Sequence, residues 1–201
     1  WEDQAKVQVQ IRHPDRFELR MEEEWPIPRT QWTKYYLDFA TSGLSESIPD
    51  AAQQVGFETM GEGLTFRSPP LDKAMENTGP SALKLGLSSS TSDADIFVIL
   101  QVFAPGGEEV VFQGAIDPHT PIGQGWLRAS HRKLDEQLSE PYRPYHTHDE
   151  VQPLTPGEKV ELDVEIWPTS IVIPEGYHFA ISIRGKDYEY AGESGGRLSN
   201  F

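Results

Sequence analysis

A serine flanked by glycines near the end of the sequence has the pattern of a hydrolase nucleophile. Gly192 to Gly196 reads GESGG and fits G-x-S-x-G, with Ser194 at the nucleophile position. In α/β-hydrolases that serine lies on a strained turn between a strand and a helix, and its acid and histidine partners follow later in the chain. The short RLSNF segment after Gly196 contains neither the helix nor the partners. We therefore predict that this chain holds no catalytic residue.

Two histidines have the spacing of metal ligands. In the segment YHTHD, His146 and His148 would point to the same face of a strand, and carboxylates follow directly after them. No spacing supplies a third ligand, although His119 or His131 could approach in the folded chain. The alternative is a polar loop between two prolines. We adopt that interpretation and expect no metal and no cofactor.

A pair of aspartates has some features of a calcium site. Asp93 and Asp95 stand two residues apart in TSDADIF, directly before an apolar run. A calcium-binding loop of the EF-hand type needs more oxygen ligands at fixed steps and a closing glutamate. We expect instead a turn in which aspartate caps backbone amides before a strand.

Aromatic side chains could form a stacking surface for a ligand. Trp126, Tyr145, Trp167 and Tyr177 are the candidates for such a platform, which would suit a carbohydrate. Aromatic residues of a sandwich more often lie in its core or in an interface. Both interpretations remain open from the sequence.

The charge balance disfavours two classes of partner. The chain carries 32 acidic and 17 basic residues, a formal net charge of −15 at pH 7. Lysine and arginine bind phosphate backbones and anionic membrane surfaces, so this surplus has the wrong sign for either. Cysteine is absent, which excludes disulfides and thiolate metal sites. We expect a soluble protein, with the cytoplasm favoured, that binds neither nucleic acid nor membranes.

The elements that would position these residues are short strands. Apolar and polar residues alternate in KVQVQIR, SALKLGL, KVELDVEIW and YHFAISIRG, and proline and glycine separate the strands. ADIFVILQVFAPGGEEVVFQG is typical of a hairpin, and LDEQL at 134–138 is the one segment with a helical pattern. This organisation predicts an all-β fold, an antiparallel β-sandwich or jelly roll, rather than a parallel α/β sheet.

The segment before the main strands reads as an extended acidic arm. Pro26 and Pro28 prevent the helix that its glutamates would otherwise permit. Trp25, Ile27 and Trp32 give the arm large apolar side chains. We expect those side chains to pack against something larger than the arm itself.

Four motifs in the second half of the chain follow one another in a distinctive order. They are GWLRASHR at Gly125–Arg132, PLTPGE at Pro153–Glu158, WPTS at Trp167–Ser170, and Gly176 before the last strand. This series resembles the C-terminal non-catalytic domain of the Xaa-Pro dipeptidyl-peptidase and cocaine-esterase family. TFRSPPLDKAMENTGPSALKL and SDADIFVILQVFAPGG are also similar to that family, so the resemblance spans nearly the whole chain.

The resemblance implies a jelly roll of the galactose-binding-domain-like type without its own catalytic residues. The family's nucleophile, acid and histidine belong to an α/β-hydrolase domain that precedes a domain of this kind. We accordingly expect residues 1–35 to be the arm from that catalytic domain, and residues 36–201 to be the sandwich, lacking its final strand. Trp25, Ile27 and Trp32 would lie along the seam between the two domains.

The implied function is that of an accessory domain. It would pack on the catalytic domain of a serine acyl hydrolase, one that acts on esters or Xaa-Pro peptides, and help to enclose the active site. A free-standing carbohydrate-binding module is the alternative from another class. We also expect the isolated chain to form a homo-oligomer, because a bare apolar seam and an unpaired strand edge favour self-association.

Overall fold

The computed structural model describes residues 3–114 and 117–191. Across these residues the chain forms ten strands and one short 3-10 helix, and it contains no α-helix. The strands are β1 (Val7–Arg12), β2 (Phe17–Glu22), β3 (Tyr36–Asp38), β4 (Gly43–Ser45), β5 (Leu64–Arg67), β6 (Met75–Leu87), β7 (Asp95–Phe103), β8 (Gly123–Arg128), β9 (Val160–Ile173) and β10 (His178–Arg184). The 3-10 helix is Ala129–His131, directly after β8.

These strands form a sandwich of two sheets. One sheet has the order β2-β1-β9-β6 and the other the order β3-β4-β5-β10-β7-β8. Most neighbours are antiparallel, but β1 with β9 and β4 with β5 pair in parallel, each through a single residue pair. The predicted all-β sandwich is confirmed, with mixed rather than purely antiparallel sheets.

The core follows the period of two that the sequence predicts. Alternate residues of the central strands point between the sheets and are almost completely buried. They are Ile96, Val98, Leu100 and Val102 of β7, Leu162, Val164 and Ile166 of β9, and Ile181 and Ile183 of β10. Each such side chain contributes about 1.5–3 kcal/mol by leaving water, so this set is the main stabilising feature of the fold.

A β-bulge interrupts the pairing of β6 with β9. The register shifts at Pro80, where Trp167 and Pro168 of β9 oppose one residue of β6. Because proline has no N–H to donate, a bulge is a favourable place for it within a sheet. Trp167 and Pro168 are both exposed, whereas Ile166 and Thr169 on either side of them are both buried.

The predicted acidic arm contains a strand that the sequence pattern hides. Strand β2 pairs along its whole length with β1, so this part of the arm extends the four-stranded sheet. The glutamates of FELRME mask an alternation in which Leu19 and Met21 share one face. The separation of residues 1–35 from the sandwich stays a prediction.

The segment predicted to be helical forms turns. Asp135 accepts hydrogen bonds through Oδ1 from the backbone N–H groups of Gln137 (2.8 Å) and Leu138 (3.1 Å). An aspartate that binds its own following amides in this way competes with helix formation. Leu134 also forms a bridge with His146, which fixes the segment against a later part of the chain.

Candidate functional site

Strand β8, an edge strand of one sheet, lies directly against β9 of the other sheet at Gly125. A Cβ atom placed on this buried glycine would lie 1.9 Å from the carbonyl oxygen of Glu165 and 3.0 Å from the Cα atom of Ile166. Only a residue without a side chain allows two backbones to approach so closely. The contact closes one side of the sandwich and sets the outward residues of β8 beside those of β9.

Two tryptophans meet where these strands touch. The ring centroids of Trp126 and Trp167 are 5.0 Å apart and their planes are inclined by 46°. Their side chains are 51% and 60% exposed, so neither belongs to the core. Trp126 follows Gly125 on the outward face of β8, and Trp167 is displayed by the bulge of β9. Together they form a ridge of exposed aromatic surface.

An open groove of about 730 Å³ runs along one side of this ridge. Trp25, which is 42% exposed, lines the same groove from the arm. The structure thus brings together one residue of the predicted seam, Trp25, and two of the predicted ligand platform, Trp126 and Trp167. The groove combines these rings with polar groups of β1 and of the segment before β8.

Strand β1 and its partner β2 continue this surface. Gln8 and Gln10 line the groove, and they pair with Met21 and Leu19 across the strands. Directly opposite residues of an antiparallel pair share a face, so Leu19 (56% exposed) and Met21 (52% exposed) extend the surface with apolar area. The sequence does not predict this part of the site, because it depends on a long-range pairing of β1 with β9.

Arg12 supports the floor of the groove. Its guanidinium donates hydrogen bonds to the carbonyl oxygens of Ile122 (2.6 Å) and Ser170 (3.2 Å), and to the hydroxyl of Thr169. Burial lowers the pKa of Arg12 to about 10, so the side chain stays charged at neutral pH. The charge also lies 4.6 Å from the ring centroid of Phe112. Arg12 therefore ties the first strand to both sheets.

An ion-pair network fixes the loop that carries Trp25. The buried carboxylate of Glu22 accepts a hydrogen bond of 2.8 Å from Arg29, beyond the loop, and also contacts Arg20. Arg20 in turn donates two hydrogen bonds to Glu76 of β6, at 2.9 and 2.6 Å. The hydrogen bond from Arg29 is the main reason that the pKa of Glu22 falls to about 2. The network holds the arm against the four-stranded sheet.

The other predicted seam and platform residues lie elsewhere. Ile27 is buried within its own chain at 4% exposure, so it presents almost no surface to a partner. Trp32 stacks on Tyr142 with ring centroids 3.8 Å apart. Tyr177 is half-buried and packs against the core. Tyr145 is exposed but does not line the groove.

A second cavity of about 490 Å³ lies on the other side of the tryptophan ridge, and three histidines line it. His131 and His148 place their Nδ1 atoms 3.3 Å apart. The ring of His146 has its centroid 6.0 Å from that of His148. Of the two histidines that the sequence offers as a third partner, His131 joins the pair, whereas His119 stacks on Tyr190.

The two aspartates before β7 have structural partners. Asp93 accepts hydrogen bonds from the amides of Ala94 and Ser130 and from the Ser130 hydroxyl. Burial alone would raise the pKa of Asp93, but these hydrogen bonds outweigh burial and lower it. Asp95 receives two hydrogen bonds from Arg128, at 2.8 and 2.9 Å. The predicted capping turn is confirmed. The same hydrogen bonds hold Ser130, the residue directly before His131.

Two predictions fall on residues that the structure does not describe. The GESGG segment with Ser194 lies beyond residue 191, and so does the end of the sandwich where a final strand is predicted to be lacking. Within the described ranges, no helix has the length and apolar composition needed to cross a bilayer.

The sequence matches the family model described as the X-Pro dipeptidyl-peptidase C-terminal non-catalytic domain over residues 1–199. Two curated relatives, provisionally named serine esterases of Mycobacterium bovis and Mycobacterium tuberculosis, are each 36% identical over 129 residues. The matched part covers 62% of this chain but only 19% of each relative. This chain is thus similar to a small part of those proteins.

Solved structures share the same sandwich. A CocE/NonD family hydrolase from Staphylococcus aureus matches with a TM-score of 0.89 at 24% identity, over 96% of this chain and 36% of that one. An aminopeptidase from a marine sediment Thaumarchaeota archaeon matches with a TM-score of 0.69 at 13% identity, over 93% of this chain and 34% of that one. At these identities the likeness establishes the fold. The family match over nearly the whole sequence confirms what the motifs at Gly125–Arg132 and Trp167–Ser170 predict: the chain belongs to the X-Pro dipeptidyl-peptidase C-terminal non-catalytic domain family.

Proposed function

We propose that this chain is the accessory β-sandwich of a serine acyl hydrolase that acts on esters or Xaa-Pro peptides. In this role it packs on an α/β-hydrolase catalytic domain of the same polypeptide and helps to enclose the active site. The chain supplies shape and apolar contact area, and the catalytic domain supplies the nucleophile, the acid and the histidine. Family membership and the short span of the match within its relatives support this assignment.

The observation that carries the proposal is the exposed surface around the groove. Trp25, Trp126 and Trp167 line it, and Leu19 and Met21 continue it on β2. Large apolar side chains gathered on one exposed surface in this way mark an interaction site. Tryptophan is also among the residues that contribute most to binding at the centre of interfaces. We therefore assign the seam to the groove rather than to Ile27 and Trp32.

A first experiment tests the division of labour. The purified chain should show no turnover of chromogenic esters or Xaa-Pro anilides, whereas the longer hydrolase that contains it should be active on one of these classes. Activity in the chain alone that disappears in Ser194→Ala would contradict the proposal.

A second experiment tests the seam in the longer hydrolase. The double change Trp126→Ser and Trp167→Ser should lower the thermal midpoint of the hydrolase and raise its KM. The reason is that the apolar contacts of the two rings with the catalytic domain would be lost. Ile48→Ser is the matched control, since Ile48 is 70% exposed and does not line the groove. An equal response of the double variant and the control would argue against the groove as the seam.

The second candidate function is carbohydrate binding. It is favoured by the ridge of Trp126 and Trp167 beside the amides of Gln8 and Gln10, because apolar rings next to polar groups suit a sugar. Titration with simple sugars, followed by tryptophan fluorescence, separates the two functions. Saturable binding that Trp126→Ala abolishes would favour the module, and a flat titration favours the accessory domain.

A further inference from the structure

Two histidine nitrogens face each other at the edge of the second cavity. The Nδ1 atoms of His131 and His148 are 3.3 Å apart, and the ring planes are inclined by 42°. Zinc binds histidine nitrogens at about 2.0–2.1 Å in tetrahedral sites, which separates two such nitrogens by roughly 3.3 Å. The spacing is therefore that of two ligands on one tetrahedral cation.

His146 offers a third imidazole next to this pair. Its Nε2 atom is buried and has no hydrogen-bond partner among the described residues. Burial and, to a smaller extent, His148 lower the pKa of His146, while a hydrogen bond to the backbone of Asp163 opposes the change. A buried imidazole nitrogen without a hydrogen-bond partner is available as a metal ligand.

The backbone holds the two histidine segments together. The amide of Thr147 donates to the carbonyl of Lys133 (3.1 Å), and the amide of Gln152 donates to the carbonyl of Ser130 (2.7 Å). His148 itself has a φ of 53°, in the left-handed region that few residues other than glycine adopt. These hydrogen bonds keep the segment that carries His148 beside the segment that carries His131.

Carboxylates give the cavity a charge that suits a cation. Glu165 lines it, and Asp95 lines it while neutralising Arg128. As placed, the described residues contain no group of three or more histidine, aspartate and glutamate side chains set around one metal position. The third histidine must therefore turn about its side-chain torsions to join the other two.

We propose that His131 and His148 bind a late first-row divalent cation, such as Zn²⁺, Ni²⁺ or Cu²⁺, through their Nδ1 atoms, with His146 as the third ligand. The two Nδ1 atoms share one proton in the metal-free protein. On binding, the donor ring moves that proton to its own Nε2 and the cation takes the place between the rings. Imidazole ligands suit these metals, whereas Mg²⁺ and Ca²⁺ require oxygen ligands.

Calorimetric titration of the purified chain tests the site. One equivalent of Zn²⁺ should bind in the micromolar range, Cu²⁺ should bind more tightly than Zn²⁺, and Mg²⁺ should give no saturable heat. His131→Asn and His148→Asn should each weaken Zn²⁺ binding at least about tenfold, and His146→Asn should weaken it as well. Asparagine keeps a polar atom close to the position of Nδ1, so the local packing is preserved.

His178→Asn is the matched control. His178 makes a hydrogen bond through Nδ1 to the backbone oxygen of Ser68 and lies outside the cavity. This variant should bind Zn²⁺ as tightly as the unchanged chain. If a variant fails to fold, NMR of the unchanged chain still tests the site. Substoichiometric Cu²⁺ should broaden the ring-proton signals of His131 and His148 before those of His178.

Three outcomes would overturn the assignment. The absence of saturable Zn²⁺ and Cu²⁺ binding would leave only a hydrogen-bonded histidine pair. Binding undiminished in both His131→Asn and His148→Asn would place the metal elsewhere. Undiminished binding in His146→Asn alone would remove the third ligand from the site.

Discussion

The backbone of Gly125 in β8 lies directly against that of Glu165 in β9, across the two sheets. A Cβ atom on Gly125 would lie 1.9 Å from the Glu165 carbonyl oxygen, so Gly125→Ala must force the strands apart. We expect the free energy of unfolding to fall by about 2 kcal/mol or more. Urea unfolding measures this change.

The control for Gly125→Ala is Gly56→Ala, because nothing lies within 4 Å of a Cβ atom built on Gly56. A surface change of this kind should alter stability by less than about 0.5 kcal/mol. Equal stabilities of the two variants would mean that β8 can move away from β9 without cost. Gly125→Ala should also separate Trp126 from Trp167 and so change the tryptophan fluorescence of the folded protein.

Self-association of the isolated chain is expected through the groove surface. Without a catalytic domain on it, the apolar surface around Trp25 is free to pair with a second copy, most simply with two-fold symmetry. We predict a dimer or larger assembly at tens of micromolar, and weaker association in Trp25→Ser. Sedimentation velocity measures both.

Met60→Ser serves as the control for Trp25→Ser, since Met60 is 73% exposed and does not line the groove. It should leave the assembly unchanged. A monomer for the unchanged chain at that concentration would contradict the prediction.

Acid should weaken the attachment of the arm through Glu22. The hydrogen bond from Arg29 holds the pKa of Glu22 at about 2, below the ordinary value of 4.5. A depressed pKa stabilises the folded state above pH 4.5, and this contribution is lost as the pH falls towards 2. Glu22→Gln should therefore be less stable than the unchanged chain at pH 7, and the two should converge near pH 2.

Urea midpoints measured across that pH range give the comparison. Glu136→Gln, a change at an exposed glutamate, should follow the unchanged chain. Parallel curves for Glu22→Gln and the unchanged chain would show that the ion pair does not contribute to stability.

Arg12 should control how firmly the first two strands are attached. A single residue pair joins β1 to β9, and the guanidinium of Arg12 adds hydrogen bonds to Ile122 and Ser170. Arg12→Met would remove the charged donor from both carbonyls. Among the described residues only Ile122 would keep another side-chain donor, the hydroxyl of Thr169, so we expect a cost of about 2 kcal/mol. Hydrogen exchange of the β1 and β2 amides should accelerate, while exchange in β7 and β10 should not. Uniform acceleration in all four strands would instead indicate global destabilisation.

The sequence predicts the parts of this protein that depend on local periodicity. The alternation in KVELDVEIW predicts the buried face of β9. By contrast, the role of Gly125 in GWLR, which is to let β8 approach β9, is visible only in the folded structure. The contacts of Trp126 with Trp167 and of His131 with His148 join segments far apart in the chain, and no local pattern encodes them. Strand β2 escapes prediction because charged residues occupy three of its six positions.

The bulge of β9 reverses the parity of the inward-facing positions. Before it, the even-numbered residues Leu162, Val164 and Ile166 point inward; after it, the odd-numbered residues Thr169, Ile171 and Ile173 do. A strand with one parity throughout could slide by two residues along its neighbour and still bury an apolar face. Here a shift of β9 along β6 would turn polar side chains inward on one side of the bulge. It would also move Pro80 of β6 and Pro168 of β9 into regular pairing positions. The longest strand pair of the sandwich therefore has one register in which it can complete folding, which protects it from misaligned, aggregation-prone intermediates.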